Sequence, residues 1–292
     1  MNNILQYPLI TKFLLGGTGY EDTFIYDRYK RCNPKDEFWL HFEYFLQNKE
    51  RFQNIKSIIE RILINVPLDM EIGEAWGKWR NFRSAQAEVT TFFLIENYFK
   101  GKILEIIPVS NSRTPDFKVL LNDKEYLIEI KAQSGQQQGS IHPRDRYNVS
   151  FYQYSPQDEN DLRSWLFSKE TISRRDNKPM VPKIVEAHNQ GADILVVMQD
   201  HYCKEKKIKK QAALICENSE YIESKDMNIE NGQPLEAHFF RCTFPILNLK
   251  VKEIWLFKES CLNRFIVLSQ ESVLLSHLNK NFLEEVQDKR EV

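Results

Sequence analysis

Thr114-Pro115-Asp116-Phe117-Lys118-Val119-Leu120-Leu121 runs into Asn122-Asp123-Lys124, and Glu125-Tyr126-Leu127-Ile128-Glu129-Ile130-Lys131-Ala132 follows. Two apolar runs flank a turn-like Asn-Asp, which is the pattern of a β-hairpin. Side chains alternate along a strand, so Tyr126, Ile128 and Ile130 share one face and Leu127, Glu129 and Lys131 the other. Glu129 and Lys131 therefore emerge side by side at the end of the second strand. Asp116, at the start of the first, is expected across from them. Two carboxylates converging beside an ammonium suit a hard divalent cation and an activated water. Each residue alone has a plainer reading: Asp116 is a turn residue after a proline, and Glu129 with Lys131 a solvated strand pair. Their largely apolar neighbours favour the joint reading.

Working outward, Ser84 to Lys100 reads as one amphipathic helix. Ser84 is its N-cap, Val89, Phe92, Phe93 and Phe99 follow helical spacing, Glu96 is the polar exception, and Gly101 is the stop. Ile103, Leu104, Ile106 and Ile107 make Lys102–Val109 strand-like. Beyond the hairpin, Gln133 to Lys178 is a polar, aperiodic insert, the kind of segment that often carries function. Val181, Ile184, Val185 and His188 mark a helix that ends at Gly191. Ile194–Met198 is apolar throughout, which predicts a central strand covered on both faces. Further strands are expected at Glu253–Phe257 and Phe265–Leu268, and a closing helix from Glu271 to Arg290. From Ser84 the order of elements is αβββαβ.

Before about Trp79 the chain reads as helical. Phe38, Trp39, Phe42, Tyr44 and Phe45 follow the helix start Pro34-Lys35-Asp36-Glu37. Phe52, Ile55, Ile58, Ile59, Ile62 and Leu63 form a second stripe, ended by Pro67. The expected organisation is a helical N-terminal lobe over residues 1–80 and an α/β domain over residues 81–292, with the insert at about 133–178.

The 292 residues are 42% hydrophobic and 28% charged, as in an ordinary globular protein. A net charge of -1 excludes a uniformly basic coat and leaves room for a local basic groove. Five scattered cysteines suggest a reducing compartment, with neither a disulfide framework nor a zinc site. No apolar run has bilayer length, and no basic stretch precedes the apolar patch in Met1 to Leu15. A cytoplasmic protein without a membrane partner is expected.

Pro115-Asp116 followed by Glu129-Ile130-Lys131 resembles the PD-(D/E)xK nuclease superfamily, the restriction-endonuclease-like fold. The core of that family has the same αβββαβ order, with a mixed central sheet flanked by helices. The resemblance covers about Ser84 to Gln199 and leaves the N-terminal lobe and the C-terminal third unexplained. It implies Mg2+, with Mn2+ as a substitute, held by Asp116, Glu129 and the Ile130 carbonyl. It places Lys131 beside the attacking water and the scissile phosphate. Glu88 matches an acidic residue of the first core helix, where it would hold a second metal or a metal-bound water. An exposed helix-start carboxylate favoured by the macrodipole is an equal reading of Glu88.

Gln133, two residues past Lys131, shares its face if the strand continues and is a candidate to position water or substrate. Arg144, Arg146, Arg174, Arg175 and Lys178 are candidate nucleic-acid contacts. Lys204-Glu205-Lys206-Lys207-Ile208-Lys209-Lys210 is a solvated run or a phosphate-binding surface. His188 reads as a packed core histidine, and neither it nor His142 as a metal ligand. Gly16-Gly17-Thr18-Gly19 is a turn, since no Lys-Ser/Thr follows it. The resemblance implies a Mg2+-dependent DNA endonuclease, a type II restriction-enzyme-like or other defence or mobile-element nuclease, acting as a homodimer. A structure-specific resolvase and an RNA nuclease compete within that class. A nucleic-acid-binding module with weak or absent cutting competes from outside it.

Overall fold

The computed structural model describes residues 7–15, 29, 37–63, 72–108, 114–132, 166, 181–199, 211–215, 221–228, 234–241, 249–258 and 261–267. Among the described residues, four α-helices come first: α1 (Pro8–Leu15), α2 (Glu37–Gln47), α3 (Ile55–Ile62) and α4 (Ile72–Phe93). Then follow β1 (Lys102–Ile106), β2 (Phe117–Leu121), β3 (Lys124–Ala132), α5 (Lys183–Asn189) and β4 (Ile194–Gln199). The remaining strands are β5 (Gln211–Ile215), β6 (Tyr221–Asn228), β7 (Pro234–Arg241), β8 (Glu253–Lys258) and β9 (Cys261–Val267). The chain is thus an α/β protein, and from α4 to β4 its described elements follow the expected order. The expected Glu271–Arg290 helix and the Gly16–Gly19 turn lie outside the described residues. No helix among the described residues is long and apolar enough to cross a membrane.

The nine strands among the described residues join one mixed sheet in the order β1-β2-β3-β4-β8-β9-β5-β6-β7. β1, β2 and β3 form an antiparallel meander, and β4 lies parallel to both β3 and β8. The hairpin turn is Asn122-Asp123, whose φ angles of 48° and 60° are both left-handed, the geometry of a type I′ turn. Asn and Asp tolerate that region better than other side chains, so the turn chemistry sets the β2–β3 register. At the other end, Asp193 aligns three strands. Its carboxylate accepts the Leu127 N–H (2.8 Å), its own N–H donates to the Leu127 carbonyl (2.7 Å), and its carbonyl accepts the Lys252 N–H (2.7 Å).

The parallel registers give the sheet two distinct faces. Ile128, Ile130, Ile194, Val196, Met198, Trp255 and Phe257 lie in the same apolar cluster as Phe92 and Ile95 of the α4 segment. Leu195, Val197, Ile254 and Leu256 are buried outside that cluster, as are Ile184 and Ala187 of α5, which packs on β4. Alternation along the strands therefore puts Glu129 and Lys131 on the face that carries α5. β4 is buried on both faces, as its uninterrupted apolar run predicts.

The helical segment does not stand apart from the sheet. The large cluster continues from Ile130 and Trp255 back to Tyr7, Phe42 and Ile62. α4 itself runs across residue 80, where the lobe was expected to end. Ser84 is consequently no N-cap. It sits inside the helix, where its hydroxyl donates to Glu88 Oε1 at 3.3 Å, a local bond that makes a mid-helix serine tolerable. Glu96, the polar exception of the stripe, accepts two 2.8 Å bonds from Arg51 and one from the Tyr44 hydroxyl. Burial pushes its carboxyl up, but these bonds outweigh burial and hold it below the usual range. Glu96 thus pins the α2–α3 region to the junction that feeds β1.

α4 ends through one π-helical turn, Leu94–Tyr98, and Lys100 takes the left-handed φ of 54°. Gly101 is therefore needed for space and not for a left-handed φ. A Cβ there would collide with Leu121 Cδ2 and lie 2.8 Å from the Leu120 carbonyl oxygen. We expect Gly101→Ala to cost about 1–3 kcal/mol, as overpacking does, and to lower the midpoint of chemical denaturation. An unchanged midpoint would show that β2 yields freely at this contact.

Candidate active site

Asp116 lies where the β2–β3 ladder slips. Phe117 faces Ile128, yet the Asp116 N–H also reaches the Ile128 carbonyl at 2.9 Å. Two residues opposite one make a bulge, which bends the strand and re-aims a side chain. The Asp116 carbonyl accepts the Ile107 N–H (2.8 Å) beyond the end of β1, so its backbone is held from both sides. Its carboxylate turns back onto the sheet and accepts the Ile130 N–H at 2.7 Å. Pro115, with no N–H of its own, ends the run. In a strand, the N–H and C=O of one residue point the same way. The Ile130 carbonyl is therefore directed to the same side as Asp116.

Glu129 is 2% exposed. Its Oε1 is ion-paired with Lys131 Nζ, and its Oε2 is buried with no hydrogen-bond partner among the described residues. α5 and the turn after it complete this region. The field of Glu186 reaches both Glu129 and Lys131, and the Gln190 side chain lies against Glu129. Gln190 Oε1 is a second buried oxygen here with no partner among the described residues. Glu186 is itself bonded through both oxygens to Lys183, at 2.8 Å each.

Glu88, 5% exposed in the middle of α4, is neither exposed nor at a helix start. Arg61 of α3 grips both of its oxygens, at 2.7 and 2.6 Å. The charges of Glu88 and Arg61 both act on Asp116, so the pair borders the carboxylate site.

The electrostatics follow from this crowding. Burial, then the charges of Glu129 and Glu88, push the Asp116 carboxyl well above its usual range, while the Ile130 N–H and Lys131 pull it back only partly. Burial also raises Glu129, against the pull of Lys131. For Lys131, burial alone favours the neutral amine, but Glu129 and Asp116 outweigh it and raise its pKa. Two buried carboxyls, Asp116 and Glu129, therefore share one neighbouring ammonium, Lys131.

A hard cation fits this donor set. Asp116 and the orphan Glu129 Oε2 offer carboxylate oxygens, and the Ile130 carbonyl faces the same way. No group of three or more His, Cys, Asp or Glu among the described residues stands close enough to form a ready-made metal cluster. Mg2+ does not require one, since it commonly takes one or two carboxylates and fills its shell with waters and phosphate oxygens.

Of the residues singled out in the sequence, the fold brings together Asp116, Glu129, Ile130 and Lys131, with Glu88 alongside. Gln133, Arg144, Arg146, Arg174, Arg175, Lys178, His142 and the Lys204–Lys210 run lie outside the described residues. His188 is not packed in the core. It is partly exposed, and its Nδ1 accepts the Lys250 N–H at 3.0 Å. Sequence reasoning missed Arg61, Glu186 and Gln190. Glu186 and Gln190 are four residues apart, so they share a side of the α5 segment, a signal that acquires meaning only with the β3–β4 register. No family model matches the chain, and no curated protein and no solved structure matches it either.

The crowding predicts a pH dependence for the metal-free protein. The unfolded chain loses the Asp116 proton near the ordinary pKa of about 3.9, whereas the folded chain holds it to higher pH. The folded state binds more protons across that window, so this group lowers stability as pH rises through it. Asp116→Asn keeps an acceptor for the Ile130 N–H and removes the charge. We expect it to raise the metal-free melting temperature at neutral pH by about 2–4 °C, for ~1 kcal/mol. A lower or unchanged melting temperature contradicts this reading of the site.

Proposed function

We propose that this chain is a divalent-cation-dependent endonuclease of the PD-(D/E)xK type, which hydrolyses phosphodiester bonds in DNA. The observation that carries the reading is the Asp116 carboxylate, anchored on the Ile130 N–H, beside a buried Glu129 oxygen for which the described residues supply no hydrogen bond. The αβββαβ order of α4, β1–β3, α5 and β4, with β4 parallel to β3, supports the restriction-endonuclease-like assignment. Asp116, Glu129 and the Ile130 carbonyl would hold the cation, with Mg2+ the expected ion and Mn2+ a substitute. Bound there, a divalent cation polarises the scissile phosphate and lowers the pKa of an attacking water.

The protein's own groups do the rest. Lys131, held by Glu129, places an ammonium where negative charge develops on the phosphoryl oxygens. Asp116 and Glu129 set the position of that charge relative to Lys131, because both are fixed by β3. Gln190 buttresses Glu129 and is a candidate to orient water, the role considered for Gln133. Cutting both strands of a duplex needs two such sites, so a homodimer is the expected working unit. A type II restriction-like or other defence nuclease is the version we favour.

Supercoiled plasmid incubated with Mg2+ tests the proposal, beside the same reaction in EDTA. Wild type is expected to give linear or discrete fragments. Asp116→Ala and Lys131→Ala are each expected to lose about a hundredfold or more in rate, and EDTA to abolish cutting. Plasmid binding by all three proteins with no metal-dependent cleavage would contradict the enzyme reading and leave a binding module.

A further inference from the structure

Arg61 was not anticipated at this site, and its surroundings give it a task. It projects from α3, outside the αβββαβ elements, and its side chain is 26% exposed. Nη1 and Nη2 donate to the two oxygens of Glu88, and Nε donates to the Ser57 carbonyl at 3.3 Å. A guanidinium has five N–H donors, so this fork still has two to offer. Its charge already acts on Asp116.

The charges around the site decide what it can accept. Among the described residues, Asp116, Glu129 and Glu88 contribute three negative charges, and Arg61 and Lys131 two positive ones. The neighbouring Lys183–Glu186 pair sums to zero. The net of minus one becomes plus one with a single divalent cation, which matches the single negative charge of a phosphodiester. A second divalent cation would bring the site to plus three. It would also have to take Glu88 from a guanidinium that holds both its oxygens, and would leave a largely buried arginine without its partner.

We propose that Arg61 is the built-in second cation of the site: it neutralises Glu88 and presents its remaining N–H groups to a phosphodiester oxygen, so that one divalent cation binds and not two. This rests on the reading that Asp116 and Glu129 hold that cation. Arginine suits the role because its planar fork can serve a carboxylate and a phosphate together. Glu88 is then a positioning residue that aims Arg61.

Mn2+ titration of the full chain without substrate, followed by the electron-paramagnetic signal of the free ion, counts the cations directly. Asp116→Asn serves as the reference for surface binding. Wild type is expected to bind one Mn2+ above that reference, and Arg61→Gln two, because Glu88 is released. A second readout is fluorescence anisotropy of a DNA duplex with Ca2+ in place of Mg2+. There Arg61→Gln is expected to weaken binding about tenfold and to reduce the slope of log affinity against log salt by about one. Arg61→Lys should restore the slope with only part of the affinity. If Arg61→Gln does not fold, the wild-type count and the Arg61→Lys affinity decide the matter. Two ions in wild type, or either readout unchanged in Arg61→Gln, overturns the inference. No Mn2+ bound to wild type above the reference overturns instead the cation-site reading on which it rests.

Discussion

The hydrogen bond from the Ile130 N–H to the Asp116 carboxylate is the contact on which the rest of the site depends. It replaces a ladder bond at the point where β2 has slipped and Pro115 stops the chain. A hydrogen bond to a charged group contributes about 1.5–3 kcal/mol. That offsets only part of the cost of placing a second carboxylate next to the buried Glu129. Lys131 offsets another part through Glu129 Oε1. What is left is one buried Glu129 oxygen with no hydrogen bond among the described residues and an Asp116 held reluctant to ionise. Under the proposed function, a divalent cation would supply the positive charge that this arrangement lacks.

β3 makes this possible because each of its edges and faces has a separate task. Ile128 and Ile130 anchor one face in the apolar cluster shared with α4. Glu129 and Lys131 meet α5 and Gln190 on the other. One edge carries Asp116, and the other is locked to β4 through Asp193. The helical segment contributes more than cover, because it brings Arg61 to Glu88 and, through Arg51, fixes Glu96 where α4 gives way to β1.

Much of this was legible in the residues because it is local. The Asn122-Asp123 turn, the alternation along β3 and the uninterrupted apolar run of β4 each follow from spacing alone. Glu129 beside Lys131 needs only the two-residue period of a strand. The start of α4 was misplaced because Ser84 carries a strong capping preference, whereas the helix already begins at Ile72 and the Ser84 hydroxyl turns to Glu88 within it. Gly101 was placed correctly for the wrong reason, since its constraint comes from β2, twenty residues on. Arg61, Glu186 and Gln190 were invisible for the same physical cause. Their partners lie tens of residues away, and only packing and parallel register bring them near. The strands β5, β6 and β7 were not anticipated either, although Leu235-Glu236-Ala237-His238-Phe239 of β7 alternates apolar and polar; β6, with Glu223-Ser224-Lys225-Asp226, carries no such pattern.

Completion of the Asp116–Glu129 junction by a divalent cation, as proposed, is open to measurement by thermal unfolding with and without Mg2+ at neutral pH. A ligand that binds only the folded state at about a hundred times its Kd adds about 2.7 kcal/mol. Wild type should therefore melt several degrees higher in saturating Mg2+, and the increment should vanish in both Asp116→Asn and Glu129→Gln. An increment of the same size in those variants, or none in wild type, would contradict the account.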